Sequence, residues 1–164
     1  DRIVRSCLDA GIDYAIFSTV DSLEYCEKIV NMCNYPKWGG TRGQGLVREN
    51  LWGKDKLQNS KPIIIAQIET KEAVDNLEEL YNIPFDYYLV GPYDLSASLG
   101  CVGEWDNKKY KEYLEKINMI PKELRGVHLV KTEDIKSHDL DGYGFYALGM
   151  DTTMLIDSIK NLDK

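Results

Sequence analysis

Two carboxylates stand out by what precedes them. Glu69 comes just after the apolar run Ile63-Ile64-Ile65-Ala66, and Asp94 just after Tyr87-Tyr88-Leu89-Val90. A short apolar run bounded by turn residues reads as a strand buried on both faces. Two such runs with a helix-period segment between them make a parallel βαβ unit. Both strands then point the same way, so Glu69 and Asp94 fall at the C-terminal edge of one sheet, where α/β active sites gather. Adjacent strands lie about 4.8 Å apart, close enough for the two groups to share one cation or one proton. Side by side they repel unless one of those is present. Two oxygen ligands with no cysteine or histidine beside them suit a hard divalent ion, Mg²⁺ or Mn²⁺. Such a site keeps positions open for water and substrate oxygens, polarises a carbonyl and stabilises an enolate. The bland alternative is that each carboxylate caps the helix after it.

The segment Gly91-Pro92-Tyr93-Asp94 offers more than a ligand. Gly91 lets the backbone come close to a bound group. The amides of Tyr93, Asp94 and Leu95 open a helical turn whose positive end could hold a carboxylate or phosphate. Gln67 shares the face of Glu69 because strand side chains alternate. It either donates to a metal-bound oxo group or fills a small polar pocket. The loop Gly39-Gly40-Thr41-Arg42-Gly43-Gln44-Gly45 is glycine-rich but is neither GxGxxG nor a P-loop. It reads as a loop packed over the active edge or a neighbouring subunit, with Arg42 as its anchor. His128, in an apolar run, reads as a hydrogen-bonded core histidine.

The elements that must position these groups follow in order. Ile3, Val4, Cys7 and Leu8 form the apolar face of a first helix, ended by Ala10-Gly11. Tyr14 to Phe17 is a short strand, and Asp21 with Glu24 reads as a capping box opening a helix with Leu23, Cys26, Val30 and Cys33 inward. Residues 34–60 are irregular, a length that implies function or local structure. Thr70 caps a helix burying Ala73, Val74, Leu77, Leu80 and Tyr81. Asp106 caps another, with Tyr110, Tyr113, Leu114 and Ile117 inward. Arg125 to Val130 is a strand, Thr132 starts a short helix, Phe145 to Leu148 is a strand, and Asp151 to Leu162 is a helix. Five strands alternating with helices mean a parallel sheet with right-handed crossovers. It is either an open flavodoxin-like sheet or part of a (β/α)₈ barrel.

The totals bound the reading. The 164 residues are expected to form a single domain, with a net charge of −7 and a pI near 4.9 that argue against a nucleic-acid surface. No apolar run approaches the roughly 18 residues of a membrane span, and the first residues have no signal-peptide layout. Cys7, Cys26, Cys33 and Cys101 show no metal-type spacing and read as reduced, mostly buried thiols in a cytoplasmic protein.

The strings YP-x₂-GG-x-RGQG, IIAQIET-x₂-AVDNLEEL and VGPYDLSASLG resemble the metal-dependent 2-oxo-acid aldolases of the HpcH/HpaI type. The resemblance runs from Leu8 to Asp151. It implies a (β/α)₈ barrel of which this chain supplies strands four to eight, its C-terminal part. It implies a divalent metal, Mg²⁺ or Mn²⁺, on Glu69 and Asp94. It also implies a small 2-oxo acid chelating that ion, with Gln67, Gly91, Pro92, Tyr93 and Asp94 around it. The reaction would be reversible cleavage to pyruvate and an aldehyde without a Schiff base, and the protein a homo-oligomer that exchanges its C-terminal helical part. The family's first three strands have no counterpart here, nor do its histidine base and substrate-binding arginine. Ser18 stands where the family has proline, and Tyr93 where small residues are common. The alternatives are a citrate-lyase-like C–C lyase, or a non-catalytic assembly module.

Overall fold

In the computed structural model of the chain, residues 2–55, 61–130 and 142–162 are described. The strands are β1 (Tyr14–Phe17), β2 (Ile63–Ile68), β3 (Tyr87–Val90), β4 (Arg125–Leu129) and β5 (Phe145–Leu148). All neighbours are parallel, and the order across the sheet is the order of the sequence. That order decides between the two architectures. A flavodoxin-like sheet reverses direction at a switch point and so carries helices on both faces. A sheet that never reverses, with right-handed crossovers throughout, carries its helices on one face and curls into an arc of a βα barrel.

Burial agrees. Ala15, Phe17, Ile64, Ala66, Ile68, Tyr88, Val90, Val127 and Leu129 alternate along the strands and join one core with the helices. The opposite, concave face carries Tyr14, Ile16, Ile65, Tyr87, Phe145 and Ala147 around a cavity of about 510 Å³. Burial on both faces holds for the central strands, where inward Ile65 and Leu89 are 6% and 3% exposed. On β1 it fails: inward Tyr14 and Ile16 are 61% and 51% exposed.

The helices are α1 (Arg2–Asp9), α2 (Leu23–Cys33), α3 (Lys71–Asp75), α4 (Leu77–Leu80), α5 (Pro92–Ser98) and α6 (Lys108–Ile117), with Asp151–Leu162 last. Several details differ from the sequence expectation. Helix α1 buries only Leu8, and Ile3 stands in solvent. Helix α2 starts one residue after Ser22, with no capping box, because the Asp21 amide is already turned back to the Thr19 carbonyl. Its buried stripe is Cys26, Ile29, Met32 and Cys33, with Leu23 exposed. Asn107, not Asp106, caps α6 through the Lys109 amide, while Asp106 pairs with Lys111. Thr70 caps α3 as expected, accepting from the Ala73 amide at 3.1 Å, but the single helix expected after it breaks at Asn76 into α3 and α4 and ends before Tyr81, which is half-buried. The helix expected from Thr132 lies outside the described residues.

Cys26, Cys33 and Cys101 are buried, Cys7 is exposed, and all four are free thiols. Burial pushes Cys26 and Cys33 up to about 11, which keeps both protonated and inert at neutral pH. Among the described residues no helix is long and apolar enough to cross a membrane.

Asp75 fastens α3 to α6. It accepts from Lys71 on its own helix and from Lys116 and the Tyr113 hydroxyl on α6. Hydrogen bonds from Lys71 and then Lys116 lower it from 3.8 to about 2. A carboxyl depressed in the folded state adds stability above its unfolded value and loses it as pH falls through the folded one. The melting temperature should therefore drop between pH 4 and 2. In Asp75→Asn that drop should be smaller, and the two proteins should converge near pH 2.

Candidate active site

Three βα junctions build one cleft at the C-terminal edge of β1, β2 and β3. Ser18 and Thr19 come from the turn after β1, Gln67, Glu69 and Thr70 from the end of β2, and Asp94 and Ser98 from α5. Together they line a cleft of about 540 Å³. The two carboxylates singled out in the sequence thus line the same space, with Gln67 on the side of β2 that Glu69 shares, as alternation requires. The loops carrying them are tied to each other, because the Lys71 amide at the start of α3 donates to Ser98 Oγ at 2.9 Å.

Glu69 is 6% exposed and held on both oxygens. Its Oε1 accepts from the Thr19 amide at 2.8 Å and from Thr19 Oγ1 at 3.3 Å. Its Oε2 accepts from Gln67 Nε2 at 2.6 Å. Asp94 sits in the first turn of α5, exposed, and its carboxylate accepts no hydrogen bond from the described residues. A carboxylate offers about four lone-pair sites, so Oε2 of Glu69 and both oxygens of Asp94 retain capacity for a cation. Among the described residues no cluster of three or more His, Cys, Asp or Glu side chains is arranged as a cage. Mg²⁺-type sites commonly use one or two carboxylates and complete their shell with water and substrate oxygens. The donor set fits that kind of ion.

Gly91 is buried against this pair. A Cβ there would lie 2.9 Å from Glu69 Cβ and 3.0 Å from both Gln67 Nε2 and Glu69 Oε2. Overpacking costs about 1–3 kcal/mol, against about 0.4–1 kcal/mol returned by losing glycine's unfolded freedom. Gly91→Ala should lower stability by about 1 kcal/mol in a urea titration and displace the Glu69–Gln67 pair. Pro92 occupies the first position of α5, where its missing N–H costs nothing. The Leu95 amide, expected to be open for an anion, is bonded to the Gly91 carbonyl at 3.0 Å. That leaves the amides of Tyr93 and Asp94 at the helix start. The Tyr93 side chain is 58% exposed and does not line the cleft.

Two expectations sit elsewhere. Arg42 is 1% exposed and does not line the cleft. It is an anchor, but inside its own chain: it pairs with Asp9 at 2.8 Å and Glu49 at 3.4 Å, and its guanidinium lies over the Tyr35 ring. His128 is half-buried on β4, with Nε2 3.3 Å from the Gly149 carbonyl oxygen; it is hydrogen-bonded as expected but is not a core histidine, because its neighbours Val127 and Leu129 take the core face of the strand. Thr19 is the participant that the sequence reading passed over. Its residue type, directly after a strand at Ser18-Thr19, was the available signal.

Comparison with known proteins bears on the family and the fold. The profile of the family described as HpcH/HpaI aldolase/citrate lyase matches residues 1–158. The chain is 29% identical over 170 aligned residues to the 2-keto-3-deoxy-L-rhamnonate aldolase of Escherichia coli K12, covering 96% of this chain and 62% of that protein. It therefore spans about three-fifths of that relative's length. Among solved structures, it resembles an HpcH/HpaI aldolase/citrate lyase family protein from Burkholderia cenocepacia J2315, with a TM-score of 0.83 and 24% identity. That match covers 98% of this chain and 67% of the other. An HpcH/HpaI aldolase from Desulfitobacterium hafniense DCB-2 gives 0.77 at 23% identity, over 100% of this chain and 69% of the other. At these identities the structural likeness shows the fold, a partial barrel of five parallel strands matching larger family members.

Proposed function

Because the chain belongs to the HpcH/HpaI aldolase/citrate lyase family, we propose that it is the metal- and oxo-acid-binding part of a class II aldolase. The reaction is reversible C–C cleavage of a hydroxy 2-oxo acid to pyruvate and an aldehyde. In this reading residues 1–164 are the C-terminal part of a (β/α)₈ barrel. The observation that carries it is the shared cleft: Glu69 and Asp94 face one space, with Gln67 bonded to Glu69.

Glu69 and Asp94 would hold the divalent ion, Mg²⁺ or Mn²⁺. When bound, it would polarise the 2-oxo group and stabilise the enolate of the product. The protein's own groups do the rest. The fixed carboxylate of Glu69 sets where the oxo acid docks. Gln67 Nε2 offers an uncharged donor beside the oxo oxygen. The Tyr93 and Asp94 amides face the substrate carboxylate at the positive end of a helical turn. Gly91 leaves the room that a side chain would fill.

The concave face and the last helix support a homo-oligomer or a fuller barrel. Leu155 and Ile159 on Asp151–Leu162 are 62% and 54% exposed, and such apolar surface marks contact sites. A second reading, a binding module without chemistry, is favoured by one observation: the described residues lining the cleft include no imidazole to move a proton.

The test is product analysis with Mg²⁺ or Mn²⁺ and a 4-hydroxy-2-oxo acid. Metal-dependent release of pyruvate supports the aldolase reading. Release of glyoxylate or oxaloacetate from an acyl-type substrate points to the citrate-lyase branch instead. Because residues 1–164 are only part of the barrel in this reading, absence of cleavage is scored on a completed barrel: metal binding there with no cleavage supports the binding module.

A further inference from the structure

Thr19 carries a conformation that its residue type resists. Its φ is 55°, in the left-handed region, where a β-branched side chain is an outlier. Such residues persist only where the surroundings over-determine them, and they gather at functional sites. Here the constraint is visible on both sides. Phe17 is 8% exposed and Val20 is 0% exposed, so the chain must turn between two residues already fixed in the core. The Asp21 amide donates back to the Thr19 carbonyl at 3.1 Å, which closes the turn. The outcome is an amide aimed out of the turn and into the cleft, with Glu69 Oε1 at 2.8 Å and the Thr19 hydroxyl on the same oxygen at 3.3 Å.

We propose that Thr19 is the positioning residue of the site: its left-handed backbone and its hydroxyl pin Oε1 of Glu69, so that Oε2 is the oxygen presented beside Gln67 and Gly91. The proposal rests on the reading of Glu69 as a cation ligand. It says which residue decides the angle at which that ligand meets the ion. Without the double contact on Oε1, the carboxylate could turn about its last bond. A hydroxyl at position 19 matters for a second reason, since it repays the strained backbone only while Glu69 is there to accept from it.

The experiment uses the full chain and Mn²⁺ alone, followed by the paramagnetic resonance of the free ion. Thr19→Val keeps the β-branch and removes the hydroxyl; Thr19→Ser keeps the hydroxyl. Loss of a group that orients a metal ligand typically weakens affinity by about 10–100-fold. Thr19→Val should therefore raise the Mn²⁺ dissociation constant by about 10-fold, and Thr19→Ser should stay within about twofold of the unaltered chain. A lower melting temperature in Thr19→Val with unchanged Mn²⁺ affinity would mean a role in the turn only, and overturns the proposal. A second arm needs no metal. The Thr19 amide should exchange slowly with solvent in the unaltered chain and rapidly in Glu69→Ala. If the unaltered chain takes up no Mn²⁺, the ligand reading of Glu69 fails by itself. This arm then decides Thr19: protection that depends on Glu69 supports the anchor, and its absence overturns it.

Discussion

Glu69→Gln is expected to weaken Mn²⁺ binding by more than about 100-fold while the chain stays folded, since losing a ligand costs at least as much as losing its supporting partner. The substitution keeps the length of the side chain and an oxygen that can accept from the Thr19 amide. It removes the negative charge and turns one acceptor into a donor facing Gln67 Nε2, which is itself a donor. Asp94→Asn should have a smaller effect, because Asp94 is exposed and held by no hydrogen bond in the described residues. A water can replace part of what it offers. Asp75→Asn, a carboxylate of the α3–α6 contact, serves as the control and should leave Mn²⁺ affinity unchanged. Equal affinity in the unaltered chain and Glu69→Gln, measured by titration calorimetry, would remove Glu69 from the site.

Arg42→Ala is expected to cost about 3 kcal/mol of stability, read as a lower urea midpoint with an unchanged slope. Removing one partner of a buried ion pair costs about 3–5 kcal/mol, because the remaining charge is left without compensation. The lower end applies because Asp9 is 43% exposed and can recover water, whereas Glu49 is 17% exposed and cannot easily do so. The loss of the guanidinium also uncovers the Tyr35 ring, whose hydroxyl donates to Glu49. That hydroxyl is held protonated well above its ordinary range, by burial first and then by the bond to Glu49. Arg42→Lys should recover only part of the stability, since an ammonium cannot serve Asp9 and Glu49 with the same planar fork. A loss under about 1 kcal/mol in Arg42→Ala would mean that the cluster relaxes into solvent.

Much of the frame was legible because strands write a simple pattern. Short apolar runs closed by Ser18-Thr19, Glu69-Thr70 and Gly91-Pro92 located β1, β2 and β3, and alternation placed Gln67 beside Glu69. Sheet order was not legible, since an apolar run does not say which neighbour it pairs with. The unreversed order of the five strands settled it. Caps were misread where two candidates stood side by side. Asp106 and Asn107 are both good caps, and the ion pair with Lys111 took one of them away. Apolar faces were overcounted where the described residues leave part of one uncovered, as at Ile3 on α1. At Thr19 the residue type and its place after β1 were legible, but the conformation was not. A positive φ at a β-branched residue runs against local preference; the burial of Phe17 and Val20 on either side and the Asp21 amide bonded back to the Thr19 carbonyl hold the turn.

Anomalous diffraction from a crystal soaked in Mn²⁺ puts the pair of carboxylates to the sharpest trial. One strong peak should lie in the cleft after β2 and β3, bonded to an oxygen of Glu69 and an oxygen of Asp94, with Thr19 still on the other oxygen of Glu69. An empty cleft at saturating Mn²⁺, or an ion bound with these two carboxylates facing apart, would contradict it.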